Sequence, residues 1–308
     1  MTDDDLPIID AHHHLWDLGS GALHYPWLQD DDVEAFFLGD QEPLKRNYLP
    51  ADYRRDSARH RVLHTVHVEA ECDRRQQVEE TRWLSALHAA CGMPSAIVAH
   101  AWFHTDDAID ILAQQAAHTL VRGIRSKPVT RKSPTDLVPT GAGTMQDPKW
   151  LAGLGRLREF GLSWDLRVPT WHLEEAAQVV GAYPDLPVVL NHTGFPWDRS
   201  EAGLALWRRG MHALAAHPNC HCKLSCLCVL DGPWNYDANR AIVLETIDIF
   251  GVERCMFASN FPVDGLRIDF QTMFDDFKRM TREFAVAERQ RLFFDNAAHF
   301  YRIDTTQA

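Results

Sequence analysis

Hydrophobic residues along this chain form short, nearly continuous runs that alternate with longer segments of helical periodicity. Such runs predict buried strands, and the segments between them predict amphipathic helices. Eight strands are expected: one that leads into His12 and His14, then residues 62–70, 96–103, 121–127, 162–168, 187–192, 220–227 and 254–259. The predicted helices cover residues 74–90, 106–118, 148–160, 172–182, 201–216, 239–250, 270–282 and 286–294. Alternation of strand and helix predicts a parallel sheet, and eight such units predict a closed (β/α)8 barrel, the TIM barrel.

The whole chain, residues 1–308, is expected to form a single domain. No change of composition, low-complexity tract or run of charge divides it. A doubly wound open sheet is the competing architecture, but that fold needs a glycine-rich phosphate loop after its first strand, and none is present here. Residues 17–60 are irregular and rich in aromatic side chains. We expect them to form a long loop insertion over the mouth of the barrel.

His12 and His14 stand at the end of the first predicted strand, after a short apolar run. Residues two apart on a strand project from the same face, so both imidazoles are expected to reach the mouth of the barrel. In such barrels the active site lies at the carboxyl ends of the strands. A histidine-rich terminus of no function is the alternative, but the apolar strand before the histidines and Leu15 and Trp16 after them disfavour it.

The other predicted strands also end in polar residues that can carry a proton, bind an anion or hold a metal ion. These residues are His67, Glu69 and Glu71 from strand 2, His100 and Trp102 from strand 3, Arg125 and Lys127 from strand 4, Asp165 and Arg167 from strand 5, His192 from strand 6, Lys223 and Ser225 from strand 7, and Asn260 from strand 8. Any one of them alone is compatible with a purely structural role. Together they indicate an active site.

The charge and composition disfavour several classes of protein. A formal net charge of −12 makes a polyanionic partner such as nucleic acid unfavourable, although a local basic pocket is compatible with it. No apolar run approaches the roughly 18 residues of a transmembrane helix, and the acidic residues 1–5 are unlike the start of a signal peptide. We therefore expect a cytoplasmic protein that acts on a small molecule. The sequence leaves open whether the chain forms a homo-oligomer.

Four of the seven cysteines, Cys220, Cys222, Cys226 and Cys228, fall at alternate positions in and beyond the seventh predicted strand. Four ligands in a row on one strand face cannot surround a tetrahedral zinc ion. We interpret these cysteines as small buried residues that pack against a helix.

Seven segments spread over the chain carry a specific resemblance. They are Ile-Asp-Ala-His-His-His-Leu-Trp-Asp at 9–17, Tyr-Pro-Trp-Leu at 25–28, Val-Arg-Gly-Ile-Arg at 121–125, Leu-Asn-His-Thr-Gly at 190–194, Cys-Lys-Leu-Ser at 222–225, Phe-Ala-Ser-Asn-Phe-Pro-Val at 257–263, and Asn-Ala-Ala-His-Phe-Tyr at 296–301. In these segments and their order the chain resembles the amidohydrolase-related TIM-barrel hydrolases, which include 2-pyrone-4,6-dicarboxylate lactonase and the L-fucono- and L-rhamnono-lactonases. The resemblance implies an amidohydrolase-like barrel that hydrolyses the ester bond of a lactone ring.

The resemblance also implies roles for four residues. In that family two histidines after strand 1, a histidine after strand 6 and an aspartate after strand 8 surround the scissile carbonyl. The corresponding residues here are His12, His14, His192 and Asn260, so the last position departs from the family pattern. An amide does not accept a proton near neutral pH, so the proton transfer assigned to that aspartate must be carried out elsewhere.

Three explanations of this departure remain open. In the first, the three histidines bind one divalent metal ion, zinc being the best match, and the metal activates a water molecule. In the second, which we favour, no metal is required: a neutral histidine or Glu69 takes the proton, and Asn260 orients the water or donates to the oxyanion. In the third, Asp264 reaches into the site from the loop after strand 8.

The cationic strand ends constrain the substrate. Their convergence at the mouth of the barrel favours a substrate with a carboxylate, because the planar guanidinium of arginine meets both carboxylate oxygens. A neutral sugar lactone would not need them. The expected substrate-binding residues are Arg125, Lys223, Glu69, Arg167 and Trp16. The competing interpretation is that the cations form ion pairs with Asp165 or Glu69 that hold the barrel together.

The sequence thus predicts a hydrolase that opens a small, carboxylated lactone. A metal-dependent decarboxylase or hydratase is the alternative, because similar barrels with an Asp/Glu-x-His-x-His start also carry out those reactions. Tightly bound, stoichiometric zinc would favour that class or a metal-assisted lactonase. A third hypothesis is a carboxylate-binding protein without catalysis.

Overall fold

The computed structural model describes residues 5–31, 36–229 and 232–306. Its centre is one sheet of eight parallel strands in the order β1 to β8. The strands are β1 (Ile8–His13), β2 (Val62–Val68), β3 (Ala96–Ala99), β4 (Val121–Ile124), β5 (Ser163–Leu166), β6 (Val188–Leu190), β7 (Cys220–Leu224) and β8 (Cys255–Phe257). The predicted TIM barrel is confirmed.

Helices connect successive strands, as a parallel barrel requires. They are α1 (Pro26–Gln29) and α2 (Pro50–Ser57) before β2, α3 (Gln77–Cys91), α4 (Ala108–Ala116), α5 (Pro148–Arg156), α6 (Leu173–Ala182), α7 (Glu201–Ala215) and α8 (Tyr236–Phe250) before β3 to β8 in turn, and α9 (Phe270–Met280), α10 (Val286–Gln290) and α11 (Asn296–Tyr301) after β8. The sequence fixes several of their ends. The Ser200 side chain accepts a hydrogen bond from the Gly203 amide at the start of α7, and Gly92, with φ 76°, ends α3. None of the helices in the described residues has both the length and the apolar character needed to cross a bilayer.

The barrel closes where β8 meets β1. The Asn260 amide donates to the His12 carbonyl at 2.7 Å, and the His14 amide donates to the Phe261 carbonyl at 2.8 Å. The buried Asp10 carboxylate reinforces this seam by accepting hydrogen bonds from the Ser259 amide at 2.8 Å and the Ser259 hydroxyl at 2.6 Å. The seam therefore joins the segment of His12 and His14 directly to the segment of Asn260.

The core has two parts, one inside the barrel and one between the barrel and the helices. Inside, small apolar side chains such as Ile9, Val66 and Ala96 pack with Phe300 and Tyr301 of α11. This cluster includes the first residue of β3, so α11 covers the barrel end opposite to the carboxyl ends of the strands. The carboxyl ends are left to the loops, which is where the predicted site residues lie.

The strands end earlier than the hydrophobic pattern predicts. The seventh strand stops at Leu224 rather than at residue 227, so Cys226 and Cys228 lie in the following loop and not beside Cys220 on a strand face. All four of these cysteines are buried. Cys226 has a left-handed backbone with φ 51°, a conformation that takes the chain out of the sheet.

Two predicted boundaries also differ from the structure. The stretch 17–60, expected to be irregular throughout, contains the helix α2, which begins at Pro50. The last predicted helix, 286–294, continues beyond its expected end, because α10 passes through a π-helical turn into α11. Proline at the first turn is a favourable helix start, so the α2 signal was present in the sequence.

Candidate active site

A cavity of 510 Å³ opens at the carboxyl ends of the strands. Its wall brings together residues from the predicted strand ends and from the long loop between β1 and β2. The lining residues are His14, Trp27, Phe36, Phe37, Gln41, Ala70, Glu71, Arg125, Lys127, Arg167, His192, Asn260 and Val263. A concave pocket with convergent polar groups at this end of a TIM barrel is the expected place for an active site.

His12 and His14 meet through their outer ring nitrogens. The two Nε2 atoms are 3.3 Å apart, and His14 Nδ1 is 2.8 Å from the Val68 carbonyl. Burial lowers the pKa of His14 to about 4, and the nearby Arg125 acts in the same direction. Burial also holds the pKa of His12 well below its ordinary value, with Lys223 adding to the effect. Both rings are therefore neutral at pH 7, His14 at the cavity wall and His12 directly behind it.

His192 occupies the third histidine position and lines the cavity. Its ring lies 4.5 Å from that of His12, and its Nδ1 is 2.9 Å from the Ser225 hydroxyl. Burial and the charge of Arg167 keep its pKa well below the ordinary value, so this imidazole is neutral as well. Three neutral rings thus meet near one side of the cavity, where they can accept or donate single protons.

Several residues around the cavity have a left-handed backbone that non-glycine residues rarely adopt. They are Glu71 (φ 59°), His192 (φ 60°), Thr193 (φ 50°), Phe195 (φ 52°) and Asn260 (φ 56°). Each such residue costs of the order of 1–3 kcal/mol, and strain of this kind concentrates at functional sites. The clustering supports the assignment of this cavity.

Asn260 faces the cavity but is held from behind by Asp264. Its side-chain Nδ2 donates to the Asp264 carboxylate at 2.8 Å, and its side chain also interacts with His14. Asp264 is buried and does not line the cavity. Burial raises the pKa of Asp264 to about 7. The structure therefore does not support the explanation in which Asp264 reaches into the site, because its carboxylate is buried and meets Asn260 rather than the cavity.

Glu69 is occupied by partners inside the protein. Its carboxylate accepts from Arg125 Nε at 2.7 Å, from Arg74 at 2.9 Å and from the Glu71 amide at 2.9 Å. Burial alone would raise the pKa of Glu69, but Arg125 and Arg74 outweigh it and hold the pKa well below its ordinary value. The predicted roles of Glu69 in substrate contact or proton transfer need correction. It is an ionised carboxylate that orients Arg125.

The cationic part of the wall consists of Arg125, Lys127 and Arg167. Lys127 forms an ion pair with Glu71, and burial lowers the pKa of Lys127 to about 8. Arg167 lies over the Phe195 ring at 5.1 Å and, within residues 5–31, 36–229 and 232–306, forms no hydrogen bond or ion pair. Three cations thus face one lining carboxylate, and Arg167 interacts with Glu71 only at longer range than an ion pair.

Lys223 and Trp16 do not line the cavity, in contrast to their predicted role in substrate binding. Lys223 is fully buried and pairs with Asp165 at 2.6 Å. The Trp16 indole donates to the Arg46 carbonyl at 2.7 Å and packs against Trp27. The competing interpretation, ion pairs that hold the barrel together, describes Lys223 correctly.

The loop between β1 and β2 contributes a part of the site that strand-end reasoning missed. Trp27 stacks on Phe36 at 5.5 Å, and Phe37 contacts Trp197 at 5.6 Å. The aromatic content of residues 17–60 had indicated a covering loop. Phe36, Phe37 and Gln41 carried no further signal, because nothing in a single sequence shows which loop residues turn inwards.

The histidines do not complete a zinc site. Zinc requires three or four nitrogen, sulfur or oxygen ligands around one point. Nowhere in the described part of the chain do three His, Cys, Asp or Glu side chains come together in this way. The position of the family acid holds Asn260, whose amide is a weak ligand. The residues present therefore do not fit a resident zinc ion.

Comparison with known proteins agrees with this architecture. The family model described as amidohydrolase, of the Amidohydrolase 2 group, matches residues 9–303. The uncharacterized protein y4mH of Sinorhizobium fredii is 36% identical over 299 residues, which cover 97% of this chain and 99% of that protein. An L-fucono-1,5-lactonase of Burkholderia ambifaria is 30% identical over 305 residues, 96% of each chain.

Solved structures share the fold. A Burkholderia multivorans amidohydrolase crystallised with bound HEPES superimposes with a TM-score of 0.79 at 24% identity, covering 96% of this chain and 99% of that one. The same protein with bound zinc gives a TM-score of 0.78 at 23% identity and the same coverage. The family match over nearly the whole length and the relatives at 30% identity or more show that this chain belongs to the amidohydrolase family.

Proposed function

We propose that this amidohydrolase-family hydrolase opens a small lactone that carries a carboxylate, by attack of water on the ring ester. The observation that carries the proposal is the cavity wall, where three cations and three neutral polar groups (His14, His192 and Asn260) face one space. The lactonase relative supports the reaction type. The cationic wall supports an anionic substrate.

The substrate carboxylate is expected to bind at Arg167. A guanidinium that is partly shielded from water, and that Glu71 reaches only at longer range, gains most from a carboxylate that meets its planar fork. Arg125 uses Nε and Nη2 for Glu69, so its Nη1 remains to strengthen the same anion site. The ester of a small ring held there lies towards the histidines.

The chemistry then requires a proton acceptor for water and donors for the developing oxyanion. Neutral imidazoles can do both, and His14 and His192 stand at the wall with their pKa values held low. Water adds to the carbonyl carbon, the ring carbon–oxygen bond breaks, and the proton taken from water passes to the leaving ring oxygen. The product is a hydroxy acid.

A matched pair of lactones tests the proposal. Muconolactone carries a carboxylate and its primary amide does not, so their rates isolate the contribution of the charge. L-Fucono-1,5-lactone serves as a neutral sugar lactone. Acid release in a pH-stat is expected for the carboxylate and at most weakly for the others. A preference for the neutral compounds, or release of carbon dioxide from carboxylated aromatic acids without any lactone turnover, would overturn it and favour the decarboxylase alternative.

Replacement of Arg167 by methionine is expected to raise KM for the carboxylated lactone by roughly 10- to 100-fold and to change kcat little. The reason is that a carboxylate remote from the reacting bond is bound equally in the ground and transition states. KM for the amide should stay within about twofold. Steady-state kinetics on both compounds measures this, and an equal loss on both would contradict anion binding at Arg167.

Removal of metal ions is expected to leave turnover unchanged, since no complete donor set comes together among the residues that the structure describes. Elemental analysis of the purified protein should find well under one zinc per chain. Rates should survive dialysis against EDTA. Activity that disappears on chelation and returns with added zinc would show that metal chemistry operates here.

A further inference from the structure

The His12–His14 pair rests on a buried ion pair that the proposed reaction does not use. Lys223 Nζ lies 2.6 Å from Asp165 and 3.5 Å from His12 Nδ1, and both members of the ion pair are fully buried. Asp165 also accepts hydrogen bonds from the Tyr301 hydroxyl and from Asn191. A charged pair in this position, beneath the histidines and away from the cavity, needs a reason beyond substrate binding.

The protons on His14 are fixed by the backbone. Its Nδ1 is 2.8 Å from the Val68 carbonyl, and a carbonyl only accepts, so Nδ1 must carry the hydrogen. The Nε2 atoms of His14 and His12 are 3.3 Å apart, and a contact this short holds one hydrogen and not two. One of the two Nε2 atoms is therefore a bare lone pair, and the contacts of His12 decide which.

The protons on His12 are fixed from the opposite side. The ammonium group of Lys223, paired with Asp165, has only hydrogens to offer, so the Nδ1 of His12 must be an acceptor. The hydrogen of this neutral ring is then on Nε2, which points at the lone pair of His14 at 3.3 Å. The Val68 carbonyl beside His14 and the Lys223 ammonium beside His12 therefore agree on one arrangement, with the shared hydrogen on Nε2 of His12 and the lone pair on Nε2 of His14.

We propose that Lys223, held by Asp165, is a positioning residue that makes His12 the proton donor and His14 the proton acceptor of the pair. This inference rests on the proposed hydrolysis, but the positions of the histidine protons can be measured without a known substrate. A water molecule does not fit between two nitrogens 3.3 Å apart, so the His14 ring, which lines the cavity, must turn away from the buried His12 before a water enters between their Nε2 atoms. The contact is longer than the usual 2.7–3.2 Å of a protein hydrogen bond, so little hydrogen-bond energy opposes that movement. Such a water accepts from His12 Nε2 and donates to His14 Nε2.

This arrangement prepares the water for attack. One of its hydrogens points at the His14 lone pair, and His12 fixes its oxygen, which leaves an oxygen lone pair for the carbonyl carbon. As the new carbon–oxygen bond forms, the proton moves to His14 and the carbonyl electrons move to oxygen. When the carbonyl re-forms, the ring carbon–oxygen bond breaks and the ring oxygen takes the proton from His14. Both histidines end neutral, as they began.

Nitrogen-15 NMR of histidine-labelled protein at pH 7 without substrate tests the proton positions. The long-range proton–nitrogen pattern distinguishes the two neutral forms of each ring, and signals that vanish in His12→Gln and His14→Gln assign them. We expect a hydrogen on Nε2 of His12 and on Nδ1 of His14. The opposite form of His12, or two histidines that exchange between both forms, would overturn the inference even if no lactone substrate had been found.

The role of Lys223 is tested by removing the ion pair as a unit. Lys223→Met alone leaves a buried carboxylate without its partner, so the double variant Lys223→Met/Asp165→Asn is used. In it His12 should populate both neutral forms, and kcat on the carboxylated lactone should fall about 10- to 100-fold with KM nearly unchanged. Tyr301→Phe, which removes a hydrogen bond to Asp165 and keeps Lys223, should leave the His12 form as in the wild type. A double variant with His12 still fixed would refute the positioning role, whatever its activity.

Discussion

Replacement of His14 by glutamine is expected to lower kcat on the carboxylated lactone by about 10²- to 10⁴-fold, the range for loss of a positioned proton carrier. His14 is the histidine of the β1 pair that lines the cavity, and glutamine can keep a hydrogen bond to the Val68 carbonyl without accepting a proton from water. KM should change much less than kcat. Single-turnover and steady-state rates measured together separate the two quantities.

The matched control for this experiment is His212→Gln. His212 is exposed on α7 and away from the cavity, so its replacement should leave the rate unchanged. Circular dichroism and thermal denaturation show whether each variant is folded. A folded His14→Gln protein with wild-type turnover would remove His14 from the mechanism, and the same outcome for His192→Ala would leave the whole site assignment without support.

Replacement of Arg125 by methionine is expected to lower the free energy of unfolding by about 3 kcal/mol, the lower end of the cost of breaking a buried ion pair. The Arg125 and Glu69 side chains are 4% and 0% exposed, so Glu69 would lose its closest counter-ion without gaining water. We expect the lower end of this range of free energies because Arg74 still pairs with Glu69 in the variant. With about 2.1 cal/mol/K of unfolding entropy per residue, Tm should fall by roughly 5 °C.

Urea denaturation of three variants measures this effect. Arg125→Met/Glu69→Gln should recover part of the loss, because no unpaired carboxylate is then buried. Arg82→Met breaks the surface pair with Glu79, whose side chains are 57% and 48% exposed, and should cost no more than about 1 kcal/mol. An Arg125→Met protein as stable as the Arg82→Met protein would show that Glu69 does not depend on Arg125.

The fold was predictable because the same sequence pattern, an apolar run followed by a helical segment, repeats along the chain. Eight apolar runs alternating with helical segments leave few architectures other than a parallel barrel, and the errors are confined to element ends. Those ends were misplaced for a physical reason. Residues such as Glu71 and Cys226 adopt a left-handed backbone that sequence patterns assign to glycine, so the strands leave the sheet earlier than their side chains suggest.

The site was predictable in its location and only partly in its contacts. Strand-end reasoning brought His14, His192, Arg125 and Asn260 to one cavity, and their catalytic and binding roles stay predictions. The same reasoning did not distinguish a cation that faces the cavity from a cation that is buried in an ion pair beneath the cavity. Lys223 lies 2.6 Å from Asp165. This pairing depends on the twist of the barrel and on the side-chain rotamers, and the spacing of residues along the chain predicts neither.

The seam between β1 and β8 has a consequence for synthesis of the protein. Asn260 is synthesised long after His14, and the Asp10–Ser259 contacts that hold their segments together span 249 residues. Contacts so distant in sequence form late. In a nascent chain whose β8 is not yet made, the segment of His14 therefore lacks its partner, and the two sides of the cavity come together only after Ser259 and Asn260 have left the ribosome.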